Sequence, residues 1–260
     1  MSTTFLQPTE TYRKPLYIII DERTPENDKE KVIINLETLL FRRYEREAGV
    51  SITRAYYYKP WCENPDQPYC RPQYYIENCR DPNGKINVDC IFNLSRNEPW
   101  QQINPHYDIY IIDNDIIYDG NLSTNFLFGS TLPAILPNGL IYSGFAGSVI
   151  SIGVLKRFYG SDWEIAFPII AAHELGHLFG LPNPNSPYYI GYNHPYAREN
   201  NLYADHCSYE YCAMRQINSG GRLDIDLLDL ARNIFNHNQY YLYCEYDWER
   251  LMINLRRLFS

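Results

Sequence analysis

The chain has 260 residues, 45% of them hydrophobic, which is enough to bury the core of one domain and excludes a disordered protein. Its formal net charge of −8 argues against nucleic acid or an anionic membrane as the main partner. The seven cysteines, an odd number, leave one thiol over in any all-disulfide arrangement.

The N-terminal residues predict no targeting signal. The stretch MSTTFLQPTETYRKPLYIIID lacks the apolar segment of a signal peptide, and no later stretch approaches membrane-spanning length. We therefore expect a soluble, cytoplasmic protein that does not bind a membrane.

Two strands and a helix are predicted at the start of the chain. Leu16–Asp21 is an apolar, β-branched run typical of a buried strand, and Ser51–Tyr58 predicts a second one. Between them, residues 27–47 place apolar side chains at helical spacing and predict an amphipathic helix.

Residues 59–100 differ in composition from the segments around them. They are rich in proline and asparagine, show little periodicity and contain four cysteines, Cys62, Cys70, Cys79 and Cys90. The seven, eight and ten residues between these cysteines match no tight zinc knuckle, so disulfides are the first interpretation and a metal is the alternative. We interpret the segment as an insertion that disulfides or a metal at its cysteines hold together.

Further strands are predicted after this insertion. Tyr107–Tyr118 predicts a strand that runs into a turn, and residues 126–145 and 148–160 contain further candidate strands. Residues 224–236 predict a late helix with acidic side chains near its positive N-terminal end.

A helix is predicted between these strands and the late helix. Ser161 and Glu164 have the spacing of a capping box, which predicts the start of a helix that runs to Phe179. Because proline is unfavourable inside a helix, Pro168 favours a start near Phe167 instead.

This helix contains the sequence HELGHLFG, which has the pattern of a zinc site. Positions i and i+4 of a helix lie about 40° apart around its axis, so His173 and His177 can reach one ion. Glu174 lies at the edge of the same face, near enough to contact a water on the metal. Two helix histidines beside a surface glutamate would give the same pattern without binding a metal. Four of the six histidines fall within residues 173–206, however, and this clustering favours the zinc site. Gly180 would let the helix end in a left-handed turn.

A catalytic zinc needs a third protein ligand. Asn183 stands six residues after His177, where the compact form of the motif has a histidine, and a neutral amide is a weak zinc donor. His194, His206 and the carboxylate of Glu199 are the remaining candidates.

The residues HCSYEYCAM, at positions 206–214, bear on this choice because they resemble the archaemetzincins, a family of metzincin metallopeptidases. That family reads HExxHxxGxxHCxxxxCxM, followed later by CxxC. The matching residues are His173, Glu174, His177, Gly180, His206, Cys207, Cys212 and Met214. Residues 183–205 separate the two halves of the motif here, and we interpret them as an insertion.

The resemblance implies a single metzincin-like catalytic domain over residues 1–260. Its α/β (α+β) fold would have a mixed twisted sheet, an active-site helix and a smaller C-terminal subdomain with a Met-turn and a C-terminal helix. His206 would be the third zinc ligand, and Met214 would form a hydrophobic floor beneath the zinc histidines.

The resemblance also implies a second, structural zinc held by four cysteines. Cys207, Cys212 and Cys244 match three of them, but Asp247 stands at the fourth position. Three outcomes are open: a zinc site of three cysteines and one aspartate, a Cys207–Cys212 disulfide, or reduced cysteines packed in the core.

The implied function is that of a zinc-dependent metallopeptidase acting on a peptide or protein substrate. A zinc-activated water would attack the peptide carbonyl, with Glu174 as the general base. Metzincin substrates pair with an edge strand of the cleft, for which residues 139–145 and the run after Ser148 are the candidates. Residues 183–205 would form a lid or cleft wall, or else a plain surface loop.

Two other functions stay open. A catalytically silent, zinc-stabilised interaction protein with a metzincin fold would have no need of Glu174 as a base. A zincin of another group would use the carboxylate of Glu199 as its third ligand.

Overall fold

A mixed five-stranded sheet forms the centre of the fold. The computed structural model describes residues 14–56, 72–117, 128–136, 138–191, 205–215, 226–237 and 242–260. In spatial order the strands are β2 (Arg54–Tyr56), β1 (Leu16–Ile20), β4 (Tyr107–Ile112), β7 (Ala146–Ser151) and β6 (Gly129–Leu132). The first four are parallel, and β6 runs antiparallel to β7 at the edge of the sheet.

The other strands in the described part of the chain form two short pairs. They are β3 (Ile86–Asn87) with β5 (Ile116–Ile117), and β8 (Tyr189–Ile190) with β9 (His206–Cys207). In the main sheet, β1 and β4 are buried along their whole length, which is why β1 is a continuous apolar run in the sequence and β4 is apolar except for the buried Asp108.

Helices cover both faces of the sheet. They are α1 (Glu26–Asn35), which continues through a π-helical turn (Leu36–Phe41) into α2 (Arg42–Ala48), then α3 (Pro72–Asn78), α4 (Val88–Arg96), α5 (Pro99–Ile103), α6 (Ile152–Tyr159), α7 (Trp163–Leu178), α8 (Leu227–His237) and α9 (Glu245–Phe259). A 3₁₀ turn (Gly160–Asp162) joins α6 to α7. None of the described helices is long and apolar enough to cross a membrane.

The sheet separates two apolar cores. On one face, Tyr107, Ile109 and Ile111 of β4 belong to the larger core, to which α1, α2, α7, α8 and α9 contribute. On the other face, Tyr110 and Ile112 pack with α3 and α4, because successive side chains of a strand point to opposite faces. The sheet, α7 and the C-terminal helix α9 confirm the predicted fold class.

The start of α7 differs from the prediction. The helix begins at Trp163 and contains Pro168, so the start near Phe167 was wrong. Because proline has no N–H, the carbonyl of Glu164 lacks its helical hydrogen bond. Glu164 belongs to the partly exposed first turn of the helix, so the helix can accommodate Pro168. The predicted capping box was also wrong, because the N-cap residue is Asp162 and it makes no side-chain capping bond.

The strand predicted over residues 148–160 was half wrong. The chain is extended only as far as Ser151, and the rest forms α6. The hydroxyl of Ser151 accepts a hydrogen bond of 3.0 Å from the N–H of Val154, and this N-cap starts the helix.

The insertion predicted over residues 59–100 has more regular structure than its composition suggested. Its described part forms α3, β3, α4 and the start of α5, which cover the second face of the sheet. Cys79 and Cys90 form a disulfide that joins the end of α3 to α4. Cys62 and Cys70 lie outside the described residues.

Candidate metal centre

The two histidines of α7 face each other across one helical turn. The Nε2 atoms of His173 and His177 are 3.2 Å apart. The Nδ1 atom of His173 lies 2.7 Å from the carbonyl oxygen of Ala213, and that of His177 lies 3.2 Å from the carbonyl oxygen of Leu181. Because a carbonyl only accepts hydrogen bonds, both Nδ1 atoms carry a proton and both Nε2 atoms can present a lone pair. Metal-binding histidines have this arrangement.

The glycine turn after α7 supplies one of these carbonyls. Gly180 has a φ of +84°, and its N–H donates to the carbonyl of His177 at 3.1 Å. The N–H of Leu181 donates to the carbonyl of Gly176 at 2.8 Å, which completes a Schellman-type helix end. The chain therefore turns back beneath His177, and the Leu181 carbonyl meets its ring.

The third histidine comes from β9. The ring centroid of His206 is 5.3 Å from those of both His173 and His177. One nitrogen of each ring lies within 4.8 Å of the others. Pairing of His206 with Ile190 in β8 holds it there. The structure thus brings together the three histidines that the motif predicts.

Met214 packs directly beneath the histidine pair. A Cβ added to Gly176, which lies between the two histidines in sequence, would overlap the sulfur of Met214. Glycine at this position therefore lets the methionine reach the helix. Met214 is fully buried, and its carbonyl accepts a 2.9 Å hydrogen bond from the N–H of Cys207, the residue after His206.

Glu174 lies against the edge strand β6. The hydroxyl of Thr131 is 2.6 Å from Oε2 of Glu174, and the hydroxyl of Ser148 is 2.8 Å from that of Thr131. A Cβ added to Gly129 would come within 2.5 Å of Oε1 of Glu174, so the strand can approach this closely only with glycine there.

Burial sets the protonation of these side chains. It raises the pKa of Glu174 to about 7, although the hydrogen bond from Thr131 acts in the opposite direction. It lowers the pKa of His173 to about 3 and that of His177 well below the usual range, and the neighbouring imidazoles add to the effect. Both histidines therefore remain in the neutral form that binds metals.

The histidine spacing fits a zinc ion. Two nitrogen ligands at the usual Zn–N distance would be about 3.3 Å apart in a tetrahedron. The Nε2 atoms of His173 and His177 are 3.2 Å apart. Three imidazoles leave one tetrahedral position for water or substrate, as catalytic zinc sites do.

A second group of candidate ligands consists of Cys207, Cys212, Cys244 and Asp247, all of them buried. The sulfurs of Cys207 and Cys244 are 3.8 Å apart, which is about the separation of two thiolates on one tetrahedral zinc. The thiol of Cys212 lies 3.3 Å from Oδ2 of Asp247. All three thiols are free, so the alternative of a Cys207–Cys212 disulfide is wrong.

Asp247 is oriented by the residue at which the predicted insertion begins. Its Oδ1 accepts a 2.7 Å hydrogen bond from the N–H of Asn183, whose side chain donates to the carbonyl of Tyr246 at 3.1 Å. Burial raises the pKa of Asp247 to about 7. Asn183 thus supports the second cluster rather than the histidines.

The residues predicted to form the edge strand of the cleft do not form it. The edge strand beside Glu174 is β6, whereas residues 139–145 are irregular and the run after Ser148 belongs to the inner strand β7. His194 and Glu199 lie outside the described residues. Thr131 and Gly129 were not predicted as site residues, because no local pattern in a four-residue strand reveals contact with a distant helix.

Comparison with known proteins finds similar solved structures. No protein-family model matches the chain, and no curated protein matches it. A solved archaemetzincin of Methanopyrus kandleri is similar at 17% identity and a TM-score of 0.48, over 96% of this chain and 99% of that one. An archaemetzincin of Archaeoglobus fulgidus, solved in complex with malonate, is similar at 15% identity and a TM-score of 0.44, over 91% and 99%.

Proposed function

We propose that this protein is a zinc-dependent metallopeptidase whose catalytic zinc is held by His173, His177 and His206. The observation that carries the proposal is the convergence of three imidazoles, two of them fixed through Nδ1 by backbone carbonyls, next to a buried carboxylate. A zinc ion held there would supply a Lewis acid that polarises a peptide carbonyl and lowers the pKa of a bound water.

Glu174 supplies the base. Burial raises the pKa of Glu174 in the metal-free site to about 7, and its carboxylate can take a proton from the attacking water. The same group can then pass the proton to the leaving amine. The hydrogen bond from Thr131 fixes the direction in which this carboxylate points.

A peptide substrate would bind along β6. Among the described residues this strand is the edge of the sheet, so the backbone groups of its outer side can pair with an extended chain. Its residues Gly129 and Thr131 contact Glu174 directly. Pairing along β6 would therefore place a peptide bond next to Glu174.

The cluster of Cys207, Cys212, Cys244 and Asp247 would hold a second, structural zinc. Four protein ligands leave no open position for a substrate, which is the pattern of structural sites. Cys207 follows the proposed ligand His206 directly, so this zinc would stabilise the strand that carries the third histidine.

Replacement of the base tests the proposal. The Glu174→Gln variant should lose peptidase activity by a factor of at least about 10² while it keeps its zinc. The matched control is Glu164→Gln on the same helix, at a partly exposed residue that pairs with Lys31. Activity is measured as cleavage of a mixed peptide library, followed by mass spectrometry, which detects products from a substrate of any sequence. Full activity in Glu174→Gln would contradict the proposal, and no cleavage by the wild-type protein would favour an interaction protein.

A further inference from the structure

Another cluster of histidine and carboxylates lies on the face of the sheet opposite α7. Glu98 stands between α4 and α5, and His106 and Asp108 lie at the start of β4. The Nε2 atom of His106 is 2.8 Å from Oε1 of Glu98 and 3.4 Å from Oδ1 of Asp108. All three side chains are at most 2% exposed. Asp108 shares its face of β4 with Tyr110, which belongs to the second core.

The hydrogen bonding of His106 defines what can lie between these groups. Its Nδ1 is 2.7 Å from the carbonyl oxygen of Asn104 and so carries a proton. Its Nε2 therefore faces two carboxylate oxygens and needs a cation between them, either a second proton or a metal ion. A divalent cation held by these three side chains would balance the charge of the two carboxylates, and buried carboxylates are commonly paired or bound to a metal.

The distances and the outer contacts match those of a metal site. Oxygen and nitrogen ligands at about 2.0–2.2 Å from a metal lie about 2.8–3.6 Å from one another, from the closest octahedral to the widest tetrahedral arrangement. The observed 2.8 and 3.4 Å fall within that range. Outer partners orient two of the ligands, since the hydroxyl of Tyr75 donates to Glu98 and Nδ1 of His106 donates to Asn104. Metal ligands are commonly held in this way.

We propose that Glu98, His106 and Asp108 bind one divalent transition cation, zinc or manganese in kind, separate from the histidine and cysteine clusters. Two carboxylates and one imidazole suit these ions. The ion would fasten the layer of α3–α5 to the central strand β4. Its position on the other face of the sheet from α7 gives it a structural role and no part in peptide hydrolysis.

Metal analysis of two conservative variants tests this site. Full-length wild-type protein, His106→Gln and Asp108→Asn are saturated with zinc, dialysed and measured by plasma mass spectrometry. Each variant should bind about one equivalent less than the wild type and keep the activity of the wild type. His237→Gln, at an exposed histidine of α8, is the control and should bind as much as the wild type.

Equal metal content in the wild type and in both variants would overturn the proposal and assign the position to a proton. If neither variant folds, as judged by circular dichroism, zinc-edge anomalous maps of wild-type crystals show whether a metal ion occupies this site. A peak between Glu98, His106 and Asp108 supports the site, and its absence overturns it. The peak expected at His173 is read from the same map, so failure of this site is distinguishable from failure of the proposed function.

Discussion

The hydroxyl of Thr131 lies 2.6 Å from the carboxylate of Glu174, a contact between residues 43 positions apart in sequence. It joins the edge strand β6 to the C-terminal half of α7. Because the proposed substrate strand and the proposed base are in direct contact, peptide binding and proton transfer are spatially linked in this site.

Removal of this hydrogen bond should change the pH dependence of the peptidase. The bond lowers the pKa of Glu174 against the larger effect of burial, which raises it to about 7. The Thr131→Val variant should therefore raise this pKa. The acid limb in the pH profile of kcat/KM should then shift to higher pH by about one unit. Activity would be lost first at low pH, since the base must be ionised to accept a proton. Thr131→Ser keeps the hydroxyl and should retain the wild-type limb. Identical acid limbs in the valine variant and the wild type would argue against the contact.

Substitution of Gly129 should reduce turnover without removing zinc. A Cβ there would lie 2.5 Å from Oε1 of Glu174, so Gly129→Ala must displace the carboxylate or the strand. We expect a fall in kcat of about 10²-fold, because misplacement of a catalytic group by about 1 Å has effects of that size. Zinc content is measured in parallel. Wild-type kcat in this variant would show that the strand does not constrain the base.

The cysteine cluster predicts a difference between two substitutions of one residue. Asp247→Ala should lower the zinc content by about one equivalent and lower the melting temperature, because three cysteines remain without a fourth ligand. Asp247→Cys supplies a sulfur in place of the carboxylate and should retain the metal. Equal zinc content in the alanine variant and the wild type would mean that Asp247 is not a ligand.

The end of α7 depends on the C-terminal helix. The side-chain amide of the buried Asn254 donates a 2.7 Å hydrogen bond to the carbonyl of Phe179, the C-cap residue of α7. Asn254→Leu would leave that buried carbonyl without this donor, and the free energy of unfolding should fall by about 1–3 kcal/mol. Ile253→Ala on the same helix, at a residue that is 52% exposed, should change it by less than about 0.5 kcal/mol. Urea denaturation of both variants checks the difference, and equal stabilities would contradict it.

The sequence predicted those parts of the fold that local pattern determines. β1 and β4 are buried on both faces, so their apolar runs were recognisable as strands. The two histidines of α7 follow from helical spacing alone. His206 came from a motif resemblance, and the structure places it beside them.

The parts that the sequence did not predict depend on contacts between distant segments. An apolar, β-branched run does not by itself distinguish strand from helix, so the N-cap at Ser151 was missed and α6 was taken for a strand. Thr131 is one hydroxyl in a short edge strand, and only the folded chain brings it to Glu174. The cluster around His106 combines Asp108, two residues away, with Glu98 from the bend between α4 and α5, a spacing that matches no local metal motif.

The proposed function depends on a zinc site that His206 completes with His173 and His177. A zinc-edge anomalous difference map of crystals grown with zinc would locate this ion. We predict a peak within about 2.0–2.1 Å of one nitrogen of each of the three histidines. A peak at His173 and His177 that lacks His206, or no peak between these rings, would contradict it.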